Sequence, residues 1–91
     1  MNARNHAMVL MSGVAEGRLK VERFCAEYEH HFNFNWPSRG EEPDLQVFQA
    51  LFDVVVFFTQ FPEEKETVYP GYRTAPEIID AVKVALVKLR A

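Results

Sequence analysis

Apolar residues recur at three- and four-residue steps over four stretches of the chain, and the segments between them are rich in Gly, Pro, Asn and charge. Such spacing lines one face of an α-helix. Ala7, Met8, Leu10, Met11, Val14 and Ala15 form the first stripe, with Gly13 a weak point inside it and Gly17 placed to supply the left-handed residue that ends a helix. Leu19, Val21, Phe24, Cys25, Tyr28, His31 and Phe32 form the second, which runs to His31 or Phe32. Asn33 to Pro43 reads as a connection, with the helix-averse step Trp36-Pro37 inside it.

Pro43-Asp44 opens a third helix, with Asp44 as an N-cap or first-turn acid. Leu45, Phe48, Leu51, Phe52, Val55, Val56 and Phe58 give that helix a wide apolar face. The run Val54-Val55-Val56-Phe57-Phe58 reads two ways: its β-branched and aromatic residues suit a buried strand, while the helical period before it meets no breaker until Pro62. The helical reading is adopted, with one long helix ending at Pro62. Thr74-Ala75-Pro76-Glu77 is a capping box, in which the threonine hydroxyl bonds the Glu77 N–H and the glutamate reaches back. It opens a last helix with Ile78, Ile79, Val82, Ala85, Leu86 and Leu89 inward and Lys88 and Arg90 suiting the C-terminal dipole. The expected fold is all-α, an antiparallel four-helix bundle, with residues 1–91 as a single domain.

Charge refines this picture. Residues 1–40 carry five Lys and Arg against four acids, whereas residues 41–91 carry five against nine. An acidic half repels nucleic acid and favours a basic partner. Cys25 is the only cysteine, which forbids an intramolecular disulfide and suits a cytoplasmic location. No apolar run is long enough to span a membrane, and the stretch from Met1 to Met11, broken by Ser12-Gly13, reads as a helix and not as an export signal.

Candidate chemistry is sparse. His30 and His31 are adjacent and would point about 100° apart on a helix, a poor arrangement for sharing one metal ion. Glu27 and His31 have better spacing but no third ligand nearby, so His31 is expected partly buried and His30 exposed. Cys25 has apolar neighbours and reads as a small core residue. Asp53, inside Leu51-Phe52-Asp53-Val54-Val55, must lie at the solvent edge or meet a cation; an interhelical pair with Arg23 or Arg73 is the expectation. Phe34 and Trp36 would cover the open end of the bundle. No phosphate-cradling loop and no catalytic carboxylate pair stand out, so no enzymatic activity, cofactor or metal is expected.

The remaining feature is the loop before the last helix, Phe61-Pro62-Glu63-Glu64-Lys65-Glu66, followed by Tyr69-Pro70-Gly71-Tyr72. Clustered carboxylates beside tyrosines, in a loop between apolar helices, suit surface recognition better than core packing. Glu63, Glu64, Glu66, Tyr69, Tyr72 and Trp36 are the expected partner-binding residues. The order Gly17, Leu19, Phe24, Tyr28, then Leu51-Phe52, the break Phe61-Pro62-Glu63-Glu64, the loop tyrosines and the ending Leu86-Val87-Lys88-Leu89 resembles the colicin D-type immunity proteins, including the immunity partners of contact-dependent growth-inhibition toxins. The resemblance spans roughly residues 8–90. It implies a small cytoplasmic four-helix bundle that covers the basic active site of a transfer-RNA-cleaving toxin, with Glu63 and Glu64 where substrate phosphates would lie. The sequence departs from the family at Thr59 and Gln60, where members often carry an acid, and at Thr74, a cap position often held by Asp. A second reading is a helical interaction module that pairs with itself as a homodimer.

Overall fold

The four apolar stripes become four long helices, and the last gap between them a short one, in a computed structural model that describes residues 2–90. These are α1 (Ala3–Ala15), α2 (Val21–Phe34), α3 (Leu45–Val55), α4 (Glu64–Thr67) and α5 (Ala75–Arg90), with a 3₁₀ turn at Arg39–Glu41. The architecture is all-helical. Asn2 caps α1 by accepting the Asn5 N–H at 2.8 Å, and Gly17, at φ +79°, lets the chain leave that helix. Arg18 and Leu19 then return their N–H groups to the Gly13 carbonyl at 2.8 and 3.1 Å, closing the helix end.

One core is shared by the four long helices. Ala7, Leu10, Met11 and Val14 of α1 meet Phe24, Tyr28 and Phe32 of α2, Phe48, Leu51 and Val55 of α3, and Ile78, Val82, Ala85 and Leu86 of α5. Phe24, Tyr28 and Phe32 stack along α2 with ring centroids 5.5 and 6.2 Å apart. The Tyr28 hydroxyl, fully buried, donates to the Phe48 carbonyl at 2.8 Å, so the polar end of the ring is satisfied inside the core. Burial raises the Tyr28 phenol above its ordinary range.

Trp36 continues the four-residue spacing beyond the end of α2. It is only 5% exposed and packs edge-on against Phe48 with centroids 5.0 Å apart. As a core residue just past the end of α2, it is removed from the expected binding surface; Phe34, by contrast, is exposed. Arg39 donates to the Phe32 carbonyl at the end of α2, and its guanidinium lies 4.8 Å from the Phe32 ring centroid. Arg4 ties the same connection to α1 by bonds to Glu42 at 2.5 Å and Asp44 at 3.1 Å. The hydrogen bond that Arg4 donates to Glu42 is the main reason its guanidinium is raised above its ordinary range. Asp44 sits at the N-cap position of α3, but its side chain makes no cap bond.

Two expectations about α3 are corrected. The helix ends at Val55, well before Pro62, because the Val-Val-Val-Phe-Phe run gains little from helix and finds another partner. Phe57 and Phe58 tighten the last turn, donating to the Val54 and Val55 carbonyls at 3.1 Å each. Phe58 then forms an isolated parallel bridge with Arg73: the Arg73 N–H reaches the Phe57 carbonyl at 2.8 Å and the Thr59 N–H reaches the Arg73 carbonyl at 2.9 Å. Asp53 takes no cation; it is exposed and accepts from Gln49 one turn back at 3.0 Å. Arg23 is engaged by Glu27 and Arg73 by Glu77 instead.

The glycines separate in their demands. Gly17→Ala places a Cβ in the left-handed region and is expected to lower stability by about 1 kcal/mol or more, a fall of several degrees in Tm. Gly40→Ala, with open space around its Cβ and ordinary backbone, is expected to be neutral. Paired thermal melts of the two variants check this.

Candidate functional site

The bridge between Phe58 and Arg73 converts residues 59–72 into a closed surface loop whose ends touch. Such loops pack on their own side chains and hold a defined shape. Thr59, buried, is one fastening: its hydroxyl donates to the Glu64 carboxylate and accepts the Phe61 N–H at 3.1 Å. Pro62 and Glu63 lead into the single turn of α4, where the Thr67 and Val68 N–H groups return to Glu63 and Glu64 at 3.1 and 2.9 Å.

Lys65 supplies the second fastening. Its ammonium lies 2.8 and 2.9 Å from the two carboxylate oxygens of Glu77, in the first turn of α5. Arg73 approaches the same carboxylate at 3.4 Å, and the Thr74 N–H and hydroxyl donate to it at 3.2 and 3.1 Å. The capping box is thus present in its glutamate half: Glu77 reaches back, and the threonine hydroxyl joins the carboxylate. Lys65 first, and the Thr74 N–H after it, hold the Glu77 carboxyl down at about 2.

The three loop acids of the sequence therefore separate. Glu63 and Glu66 are exposed, whereas Glu64 is half-buried and turned toward Thr59. Tyr69 and Tyr72 meet edge-on with centroids 5.4 Å apart, and Tyr69 lies 5.7 Å from the Phe57 ring. Gly71 leaves room for the Tyr69 ring, since a Cβ there would come within 2.3 Å of it and push the ring aside. Around these rings Phe61 is 51%, Val68 63% and Tyr69 44% exposed. Five of the nine large apolar side chains exposed among the described residues fall between Val56 and Tyr69. A patch of this kind, mixed with free carboxylates, has the composition of a recognition surface.

Helix α2 adds residues that the sequence reading left out. Glu22 and Glu29 stand across a furrow of about 570 Å³ from Glu64, over a floor that includes Cys25, Val55 and Phe58. Their seven-residue spacing, with Ala26 between, places them on one side of α2, and that is the signal that could have found them. Cys25 is buried, and desolvation with the nearby Glu29 and Glu22 charges pushes its thiol up to about 12. It is a protonated core thiol at neutral pH.

The histidines lie elsewhere. His31 is buried, with Nε2 2.8 Å from the Ala3 carbonyl, and desolvation lowers its pKa; His30 is exposed. Glu27 is taken by Arg23 at 2.9 Å, so Glu27 and His31 do not converge on a common point. Compared with models of protein families, with curated proteins and with solved structures, the chain has no match.

The depressed Glu77 carboxyl gives the site a pH signature. Because the folded state holds this proton less tightly than the unfolded chain, the stabilisation is fully present above the ordinary value of 4.5 and is lost as pH falls toward about 2. Urea midpoints from about pH 6 down to about pH 2 are expected to fall less steeply for Glu77→Gln than for the unchanged protein, the two curves converging at the acid end. Parallel curves would remove Glu77 from the loop's fastening.

Proposed function

We propose that this protein is an immunity protein: an antiparallel four-helix bundle of the cytoplasm that neutralises a bacterial toxin by covering a basic active site with its acidic loop. The observation that carries the reading is the closed loop itself, which presents Glu63, Glu66 and the exposed rings of Phe61 and Tyr69 from a segment fastened at both ends. A nuclease that cleaves transfer RNA must attract phosphates, so its catalytic cleft is positive. Carboxylates at fixed positions complement such a cleft and speed encounter with it. Aromatic rings beside them supply the desolvated contacts from which most affinity arises.

The roles within the surface differ. Glu63 and Glu66 are free to meet basic side chains of the toxin. Glu64 keeps the loop in shape through Thr59, and Glu22 and Glu29 extend the negative field along α2. Tyr69 and Tyr72 brace one another and offer one apolar edge. A loop already ordered before binding loses less conformational entropy on association than a mobile one.

The reading expects a basic nuclease domain to be encoded beside this protein's gene, and the test uses that domain. Glu63→Lys with Glu66→Lys is expected to weaken binding by roughly 100-fold at low salt, chiefly through slower association, with helical content unchanged. Phe61→Ala is expected to act on dissociation instead, at about tenfold. Titration by calorimetry and surface-based kinetics separates the two effects. Unchanged affinity in both variants would contradict the placement of the toxin on this loop, and no binding by the unchanged protein would contradict the function.

A further inference from the structure

The furrow between α3 and α5 shares no residue with the acidic furrow and none with the closed loop. It has a volume of about 570 Å³ and a lining that includes Val47, Ala50 and Val54 on one wall and Ala81, Val84 and Lys88 on the other. Helix α5 is apolar on two sides: Ile78, Val82, Ala85 and Leu86 are buried, yet Val84 is 55% and Val87 69% exposed. An outward pair of valines one turn apart, next to a furrow whose walls carry alanine, offers a helix both an apolar contact and room to approach closely.

Charge along the furrow is polarised. The Phe58–Arg73 bridge sets the end of α3 beside the start of α5, so Asp53 and Asp80 lie toward that end. Lys88 lies at the other end with Gln46. All three charged residues are exposed, and none is engaged in an ion pair among the described residues.

We propose that a second copy of this chain docks on this furrow, with the two α5 helices antiparallel across a two-fold axis near Val84. A two-fold operation carries the basic end of one copy onto the acidic end of the other, so each Lys88 meets the second copy's Asp80 and Asp53. The apolar stripe of Val84 and Val87 closes over the furrow of the opposite copy at the same time. A self-complementary patch of this kind is what an isologous dimer requires. A same-sense, parallel arrangement would instead place Lys88 on Lys88, and it is disfavoured by like charge. The closed acidic loop stays outside the contact, so dimer formation and toxin binding are separate properties.

Size-exclusion chromatography with light scattering of the full chain tests this. At roughly 100 µM, well above a micromolar dissociation constant, the unchanged protein is expected at twice its 10.5 kDa mass. Val84→Asp is expected to run as a monomer. Lys88→Glu, a surface change that leaves the core untouched, is expected to raise the dimer dissociation constant about tenfold, and adding Asp80→Lys to restore it. A monomer at all concentrations overturns the proposal, including the outcome in which a different protein's helix occupies the furrow. A dimer indifferent to both Val84→Asp and Lys88→Glu, or unrescued by the second exchange, overturns it as well.

Discussion

Two main-chain hydrogen bonds at Arg73 set the geometry on which the candidate surface rests. They join the end of α3 to the start of α5 through the Phe57 carbonyl, the Thr59 N–H and both polar groups of the Arg73 backbone. A chain leaving a helix in an apolar setting must find partners for its freed backbone groups or carry their desolvation cost. Here the segment that leaves is Val-Phe-Phe, whose bulk suits extended geometry, and the segment that receives it is the approach to α5. With that join made, residues 59–72 become a loop of fixed span rather than a free connection. The Thr59–Glu64 and Lys65–Glu77 contacts then orient α4 within it.

Stability and recognition are divided between neighbouring charges in this arrangement. Lys65 and Arg73 converge on Glu77 at the base of the loop, and Glu64 is bound to a hydroxyl. With Lys65 and Glu64 both taken inward, the outer face of the loop keeps Glu63 and Glu66 with no cation between them. The exposed ion pairs elsewhere, Arg18–Glu16 and Arg23–Glu27, contribute little to stability by comparison with the shared core. Their effect is to neutralise charges on α1's exit and on α2.

Much of the helical framework was legible in local chemistry. Gly17 marks the end of α1 because its left-handed backbone is a one-residue requirement, and Glu77 announces α5 because its cap partner is three residues away. What escaped was decided by distant partners. Helical period and strand propensity conflict over Val54 to Phe58, and the Arg73 bridge, lying beyond the whole loop, settles where α3 stops. Trp36 has the local look of a loop residue with a binding role, but its four-residue step from Phe32 lays it over Phe48, at the corner where Arg4 holds Glu42. Glu63 and Glu64 look equivalent in sequence and are not, because only one of them faces Thr59. The contribution of Glu22 and Glu29 required knowing which loop α2 would lie against.

The central claim is that the acidic loop is held closed before any partner arrives. Native-state hydrogen exchange at the amides of Thr59 and Arg73 reads this directly, because each is a donor in the bridge. Protection within about tenfold of that in the middle of α5 is the expected result, meaning that the loop opens only with much of the fold. Exchange at the rate of an unstructured peptide, with α5 still protected, would show a free connection and contradict the account.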